Sequence, residues 1–209
     1  MPEQLPTRFR KASPAIASYD YLDYVSSVGY RNFYATMAET SSGMVYFLST
    51  TAMDSTFKST ELRRITATGA GASTEKNFDV TFNTSAIMNG TAYINFSLRL
   101  VNANGAGTVS FTLYKVVGGV ESTIGTAITP TNACVATDIY SRMNIPIVIP
   151  TTTFSPTDTL RLEVIVSCTA GNSLYVTVDP TSIQTFTETT TGGTIATSLL
   201  VRIPFLTDI

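Results

Sequence analysis

Between Phe78 and Phe205 the chain repeats one pattern: an apolar residue at every second position, then a cluster of Gly, Asn, Thr or Pro. Phe78, Val80 and Phe82 share one phase of this period. So do Ile94, Phe96, Leu98 and Leu100; Val109, Phe111 and Leu113; Leu160, Leu162, Val164 and Val166; and Leu174, Val176 and Val178. Successive side chains of a strand point to opposite faces, so each run describes a strand with one face in a core and the other in water or against a partner. Several such strands at short spacing predict an all-β domain, a two-sheet β-sandwich of about eight strands.

A chain of 209 residues lies within the range that such sandwiches occupy as one domain. Charged residues are only 13% of it, while threonine occurs 36 times, so the outer faces rely on hydroxyls instead of charges. Threonine suits a half-buried pleat because its β-branch restricts χ1 while its hydroxyl tolerates water. Low charge density also weakens repulsion between copies and favours a protein packed against neighbours. The net charge of −2 and the lack of a clustered basic patch beyond the N-terminal arm point away from nucleic acid. No apolar run approaches the ~18 residues of a membrane span, and the first residues carry no apolar signal core.

Residues 1–18 hold Pro2, Pro6 and Pro14 with Arg8, Arg10 and Lys11 and show no period. They read as an extended N-terminal arm ahead of a single domain over 19–209. Arg8, Phe9, Arg10 and Lys11 are the expected anchors of this arm on a neighbouring subunit, the arginines pairing with carboxylates. An aromatic stretch follows, in which Tyr19, Tyr21 and Tyr24 are further candidate contacts. GYRNFYATMAE and GMVYFLST then form a hairpin across TSSG. Residues 54–64 are the one stretch suited to a helical turn, capped by Asp54 or Ser55. NIPIVIP is a strand bearing Pro146 and Pro150, which belongs at an edge, or covering another element, where a missing donor does no harm. Residues 181–197, with Gly192 and Gly193, make a hairpin tip or a long loop.

The chain contains no histidine, which removes Ser-His and Cys-His pairs and imidazole metal ligands. Asp20 and Asp23 lie close together within a tyrosine-rich turn, and no carboxylate pair stands out for glycoside cleavage. GAGAS at 69–73 lacks the strand, lysine and helix of a phosphate-binding loop. Three Asn-X-Ser/Thr matches, at Asn83, Asn89 and Asn95, are what a Thr- and Ser-rich chain contains by chance. Cys134 and Cys168 are too few for a disulfide framework and lack metal-knuckle spacing; free buried thiols and a pair both remain open. No catalytic residue, cofactor or metal is expected. Tyr93, Tyr114 and Tyr175 alternate against the apolar phase of their strands, so they turn outward. Three outward rings can serve as a sugar platform, a subunit contact or cross-strand packing.

The stretches GTVSFTLYKVVGGVESTIGTAI, NIPIVIPTTTFSPTDTLRLEVIV, SLYVTVDP and LLVRIPF resemble the jelly-roll structural proteins of virions, in particular accessory capsid proteins of tailed and marine phages. The resemblance covers about residues 76–206. It implies an eight-stranded double sheet, association in trimers, and a role in covering or reinforcing a shell. The expectation is therefore a non-enzymatic virion component, a capsid decoration or minor capsid protein, whose partners are other capsid proteins and copies of itself. The alternative is a carbohydrate-binding or adhesive jelly-roll module, such as a fibre or receptor-binding protein, with a glycan as partner.

Overall fold

In the computed structural model every element is a strand, and no helix occurs among the described residues, which are 28–40, 43–52, 64–101, 106–129, 140–170, 173–178, 186–187, 194–195 and 198–206. The strands are β1 (Val28–Thr40), β2 (Gly43–Ser49), β3 (Arg64–Thr68), β4 (Ala72–Thr81), β5 (Ala86–Val101), β6 (Ala106–Val117) and β7 (Val120–Ile128). They continue with β8 (Tyr140–Phe154), β9 (Thr159–Ala170), β10 (Ser173–Thr177), β11 (Phe186–Thr187), β12 (Thr194–Ile195) and β13 (Leu200–Leu206). The all-β class expected from the alternation is what the chain adopts. The strand number is larger than the expected eight, because β3, with five residues, and β11 and β12, with two each, are too short to show a run of alternation.

Eleven strands join one hydrogen-bonded sheet in the order β3-β10-β5-β13-β1-β2-β4-β9-β6-β7, with β8 attached to β5. β11 and β12 pair separately, within the 181–197 stretch where the sequence allowed a hairpin tip or a long loop. Nearly all ladders are antiparallel; β2 beside β4 is the parallel exception. The sheet curls so that strands far apart in this order meet through their inner sides. Phe96 on β5 and Phe111 on β6 lie 4.7 Å apart between ring centroids, although five strands separate them in the ladder. Phe82 touches both Phe154 at 4.9 Å and Phe205 at 6.1 Å. The inward phases read from the sequence supply this core: Ile94, Phe96, Leu98, Val109, Phe111, Leu113, Leu160, Leu162, Val164, Leu174 and Val176 are all buried. Burying a Val, Leu, Ile or Phe side chain is worth roughly 1.5–3 kcal/mol each, so this one cluster dominates the stability.

β7 reaches β8 without a ladder between them. Their closeness depends on Gly125, where a Cβ would sit 2.5 Å from Ile147 Cγ2 and 2.9 Å from the Val148 carbonyl oxygen. Among the described residues β8 pairs with β5 alone, so its prolines lie in an edge strand, one of the two placements that the sequence suggested. The β6–β7 hairpin closes through Gly118 and Gly119, both at positive φ (57° and 85°), the two-residue turn that matches the twist of a hairpin. A second turn joins β8 to β9 through Ser155, Pro156, Thr157 and Asp158. Thr157 has φ 77°, a conformation that disfavours a β-branched residue. It is held by its N–H donating to the Phe82 carbonyl at 2.7 Å and by the Phe82 N–H donating to the Asp158 carbonyl at 2.9 Å.

The expected arm, with Arg8, Phe9, Arg10, Lys11, Tyr19, Tyr21 and Tyr24, lies outside the described residues, as do Cys134 and most of the candidate helical turn; Arg64, its last residue, begins β3. Cys168 is a buried free thiol whose Sγ donates to the Ala170 carbonyl at 3.5 Å.

Candidate functional site

β5 is long enough to hold two partners on one flank. β8 runs along one side from Ala86 to Arg99, while the other side is shared by β13, opposite Met88 to Asn95, and β10, opposite Leu98 to Val101. Phe96 and Ser97 fall between the two. A depression of about 260 Å³ lies at this fork, lined by Asn95, Phe96, Ser97, Arg142, Met143, Asn144 and Ser198. Asn95 and Asn144 are cross-strand partners, as are Ser97 and Arg142. The floor is tied down by the Thr177 hydroxyl, which donates to the Ser97 carbonyl at 3.3 Å.

The outward row beside the fork is aromatic and cationic. Tyr93 stands opposite Pro146 on β8 and Arg202 on β13. Its ring lies 6.3 Å from that of Tyr30, and the Arg202 guanidinium lies 5.3 Å from the Tyr30 centroid. The Tyr30 hydroxyl donates to the Thr91 carbonyl at 3.3 Å. Further along the same side Arg64 on β3 covers the Tyr175 ring at 4.3 Å. An arginine placed over an aromatic ring keeps its charge while covering apolar surface, a combination suited to recognition.

The outer side of β4, β9, β6 and β7 has a different chemistry. Register aligns Asp79, Arg161 and Tyr114 in one row, Asn77, Glu163, Thr112 and Thr126 in the next, and Ser73, Ser167 and Thr108 in another. Arg161 grips Asp79 with two parallel bonds, Nε to Oδ1 at 2.7 Å and Nη2 to Oδ2 at 2.6 Å, and its Nη1 donates to Glu121. Hydrogen bonding to Asp79, reinforced by the charges of Asp79 and Glu121, raises the already high pKa of this guanidinium. The Tyr114 hydroxyl donates to Glu163 at 3.3 Å; partial burial, then the Glu163 charge, pushes this phenol up. Hydroxyl pairs complete the surface, Ser73 with Ser167 at 3.2 Å and Thr81 with Thr159 at 2.9 Å. At its rim Lys115 meets Asp158 at 2.9 Å, and the Asp158 carboxyl accepts from the Ser155 N–H. That backbone bond, with Lys115, holds Asp158 below the usual carboxylate range.

The three outward tyrosines do not form one platform. Tyr93 and Tyr175 share a side, but Tyr93 lies six residues along β5 from Arg99, the partner of Tyr175, a span of roughly 20 Å at strand rise. Tyr114 is on the opposite side, because β6 turns its inner face toward that of β5. The fork at Ser97 and the arginines beside it carried no signal in the chain's alternation, since they arise from which strands become neighbours. Among the described residues no group of three or more His, Cys, Asp or Glu could hold a metal ion, and no helix is long and apolar enough to cross a membrane.

No known family profile matches the chain, and no curated protein matches it. Solved structures do. A CocE/NonD family hydrolase from Staphylococcus aureus aligns with a TM-score of 0.53 at 10% identity, over 86% of this chain and 36% of the hydrolase. An aminopeptidase from a marine sediment Thaumarchaeota archaeon aligns at 0.48 and 10% identity, over 64% of this chain and 26% of its own. A carbohydrate-binding module solved with β-1,4-galactotriose aligns at 0.30 and 15% identity, over 79% and 86%. The chain thus spans about a third of the hydrolase. At this identity the likeness to the hydrolase is one of fold.

Proposed function

We propose that this chain is a non-enzymatic structural component of a virion, of the capsid decoration or minor capsid kind, which works by laying its outer sheet faces against other protein copies. The observation that carries the reading is the outer side of β4, β9, β6 and β7. Arg161 there already holds Asp79 and Glu121, Tyr114 already donates to Glu163, and the remaining rows are mostly serine and threonine. A charge that keeps its partner loses less on leaving water than a lone charge does, so another protein can cover this face at small electrostatic cost. Many copies on a repeating lattice then turn modest contacts into firm attachment. The N-terminal arm, with Arg8, Phe9, Arg10 and Lys11, adds contacts on a neighbour. Immunogold labelling of gradient-purified particles should decorate an ordered shell, and a chain lacking residues 1–15 should fold yet no longer attach. Label found only in the particle-free fraction would refute the assignment.

A carbohydrate-binding role is the second reading, favoured by the fork at Ser97. Asn95, Asn144 and Arg142 supply amide and guanidinium groups around a depression with Tyr93 two residues away on the same side. Amides and guanidinium groups suit sugar hydroxyls, and a tyrosine ring suits a sugar face. A glycan array should then show binding by the native chain that Asn144→Ala weakens. Equal signals from the two proteins would count against it.

A further inference from the structure

The two outer sides of the curled sheet differ in sign. On β4, β9, β6 and β7 the outward positions hold Glu75, Asp79, Glu121 and Glu163 against the single cation Arg161, a net of three negative charges. On β3, β5, β8, β10 and β13 the outward positions hold Arg64, Arg142 and Arg202, with Arg99 already engaged, and these strands contain no carboxylate at all. The sides face away from each other, since Phe96 and Phe111 meet between them. Among the described residues this separation gives one positive and one negative side. Each side also exposes apolar surface: Val148 at 75% on the arginine side, Ile128 at 60% on the acidic side.

We propose that copies of this chain stack head to tail, the arginine side around Arg142 and Arg202 of one copy docking on the Glu75–Glu163 side of the next. The inference rests on the structural reading above and names the faces and their polarity. A symmetric contact of either side with itself would oppose like charges, which disfavours it. The head-to-tail contact opposes unlike ones and is heterologous, so it propagates into a ring or an open row, as a repeating shell requires. Charges across such an interface are screened over a Debye length of ~10 Å at 0.1 M salt, so the association must weaken as salt rises.

The test uses the full-length chain in sedimentation and light scattering. The native protein should self-associate at low salt, and its apparent association constant should fall roughly tenfold or more on going to 0.5 M NaCl. Arg142→Glu with Arg202→Glu, and separately Glu75→Lys with Glu163→Lys, should each be monomeric, with an unchanged far-ultraviolet spectrum confirming the fold. Mixed in equal amounts, the two variants should associate again, from dimers to longer alternating rows, because each retains the one side that the other has lost and the two reversed sides are of opposite sign. Native protein that stays monomeric at low salt overturns the inference. So does a salt-independent oligomer, or a mixture that does not associate. An arginine-reversed variant that associates normally but loses binding to alginate would assign this side to an acidic glycan and likewise overturn it. Virion attachment is read separately from particle labelling, so a failure here leaves that reading standing or falling on its own result.

Discussion

Gly125→Ala tests the contact that closes the curled sheet, and with it the opposition of the two outer sides. Glycine at this position lets β7 lie directly against β8. An added Cβ would sit 2.5 Å from Ile147 Cγ2 and 2.9 Å from the Val148 carbonyl oxygen, against an ordinary carbon contact of about 3.5–4.0 Å. The strands must part by about 1 Å, or Ile147 must leave its place in the core, where it is 1% exposed. Overpacking of this kind costs about 1–3 kcal/mol. At about 2–4 °C per kcal/mol for a chain of this size, a loss of about 2 kcal/mol lowers Tm by roughly 4–8 °C. Urea unfolding followed by circular dichroism should show the midpoint falling with the slope unchanged. Ile147→Ala, which removes the clashing Cγ2 together with Cγ1 and Cδ1, should relieve part of the clash, making the double variant more stable than the sum of the single losses by about 1 kcal/mol. If Gly125→Ala unfolds with the native midpoint, β7 does not rest on β8 and the reasoning fails.

Thr157→Gly should raise stability, because relief of the left-handed backbone conformation, about 1–2 kcal/mol, exceeds the entropic penalty of glycine, about 0.5–1 kcal/mol; a fall in the urea midpoint would contradict this. Arg161→Ala should cost about 1 kcal/mol, more at low salt than at high, since it leaves Asp79 and Glu121 side by side without their cation. Asp158 has a folded pKa below its unfolded value of about 3.9, so its contribution is present above pH ~4 and disappears as pH falls through the folded value. Asp158→Asn should therefore narrow the difference in Tm between pH 7 and pH 3, and an unchanged difference would remove Asp158 from the acid response.

The period of two identified the core strands residue by residue, and Leu160, Leu162, Val164 and Val166 are buried in the phase that the sequence dictates. Pro146 and Pro150 pointed to an edge strand or a covering one, because each lacks the N–H that a central strand would donate to its ladder. β3 escaped notice because it is five residues long and turns only Ile65 and Ala67 inward. β7 is exposed at most of its positions, so its sequence carries no inward phase to read.

Alternation reports which side of its own strand a residue occupies, and that much the chain determined by itself: Tyr93 and Tyr114 both point outward. Whether two outward residues share a surface depends on ladder order and on the curl of the sheet, which are set by contacts between distant segments. Tertiary structure alone separates Tyr93 from Tyr114, opens the fork at Ser97, and gathers Arg142 and Arg202 on one side and Glu75, Asp79 and Glu163 on the other. Charge acts through space, and its sign on a face emerges only when strands remote in sequence become neighbours.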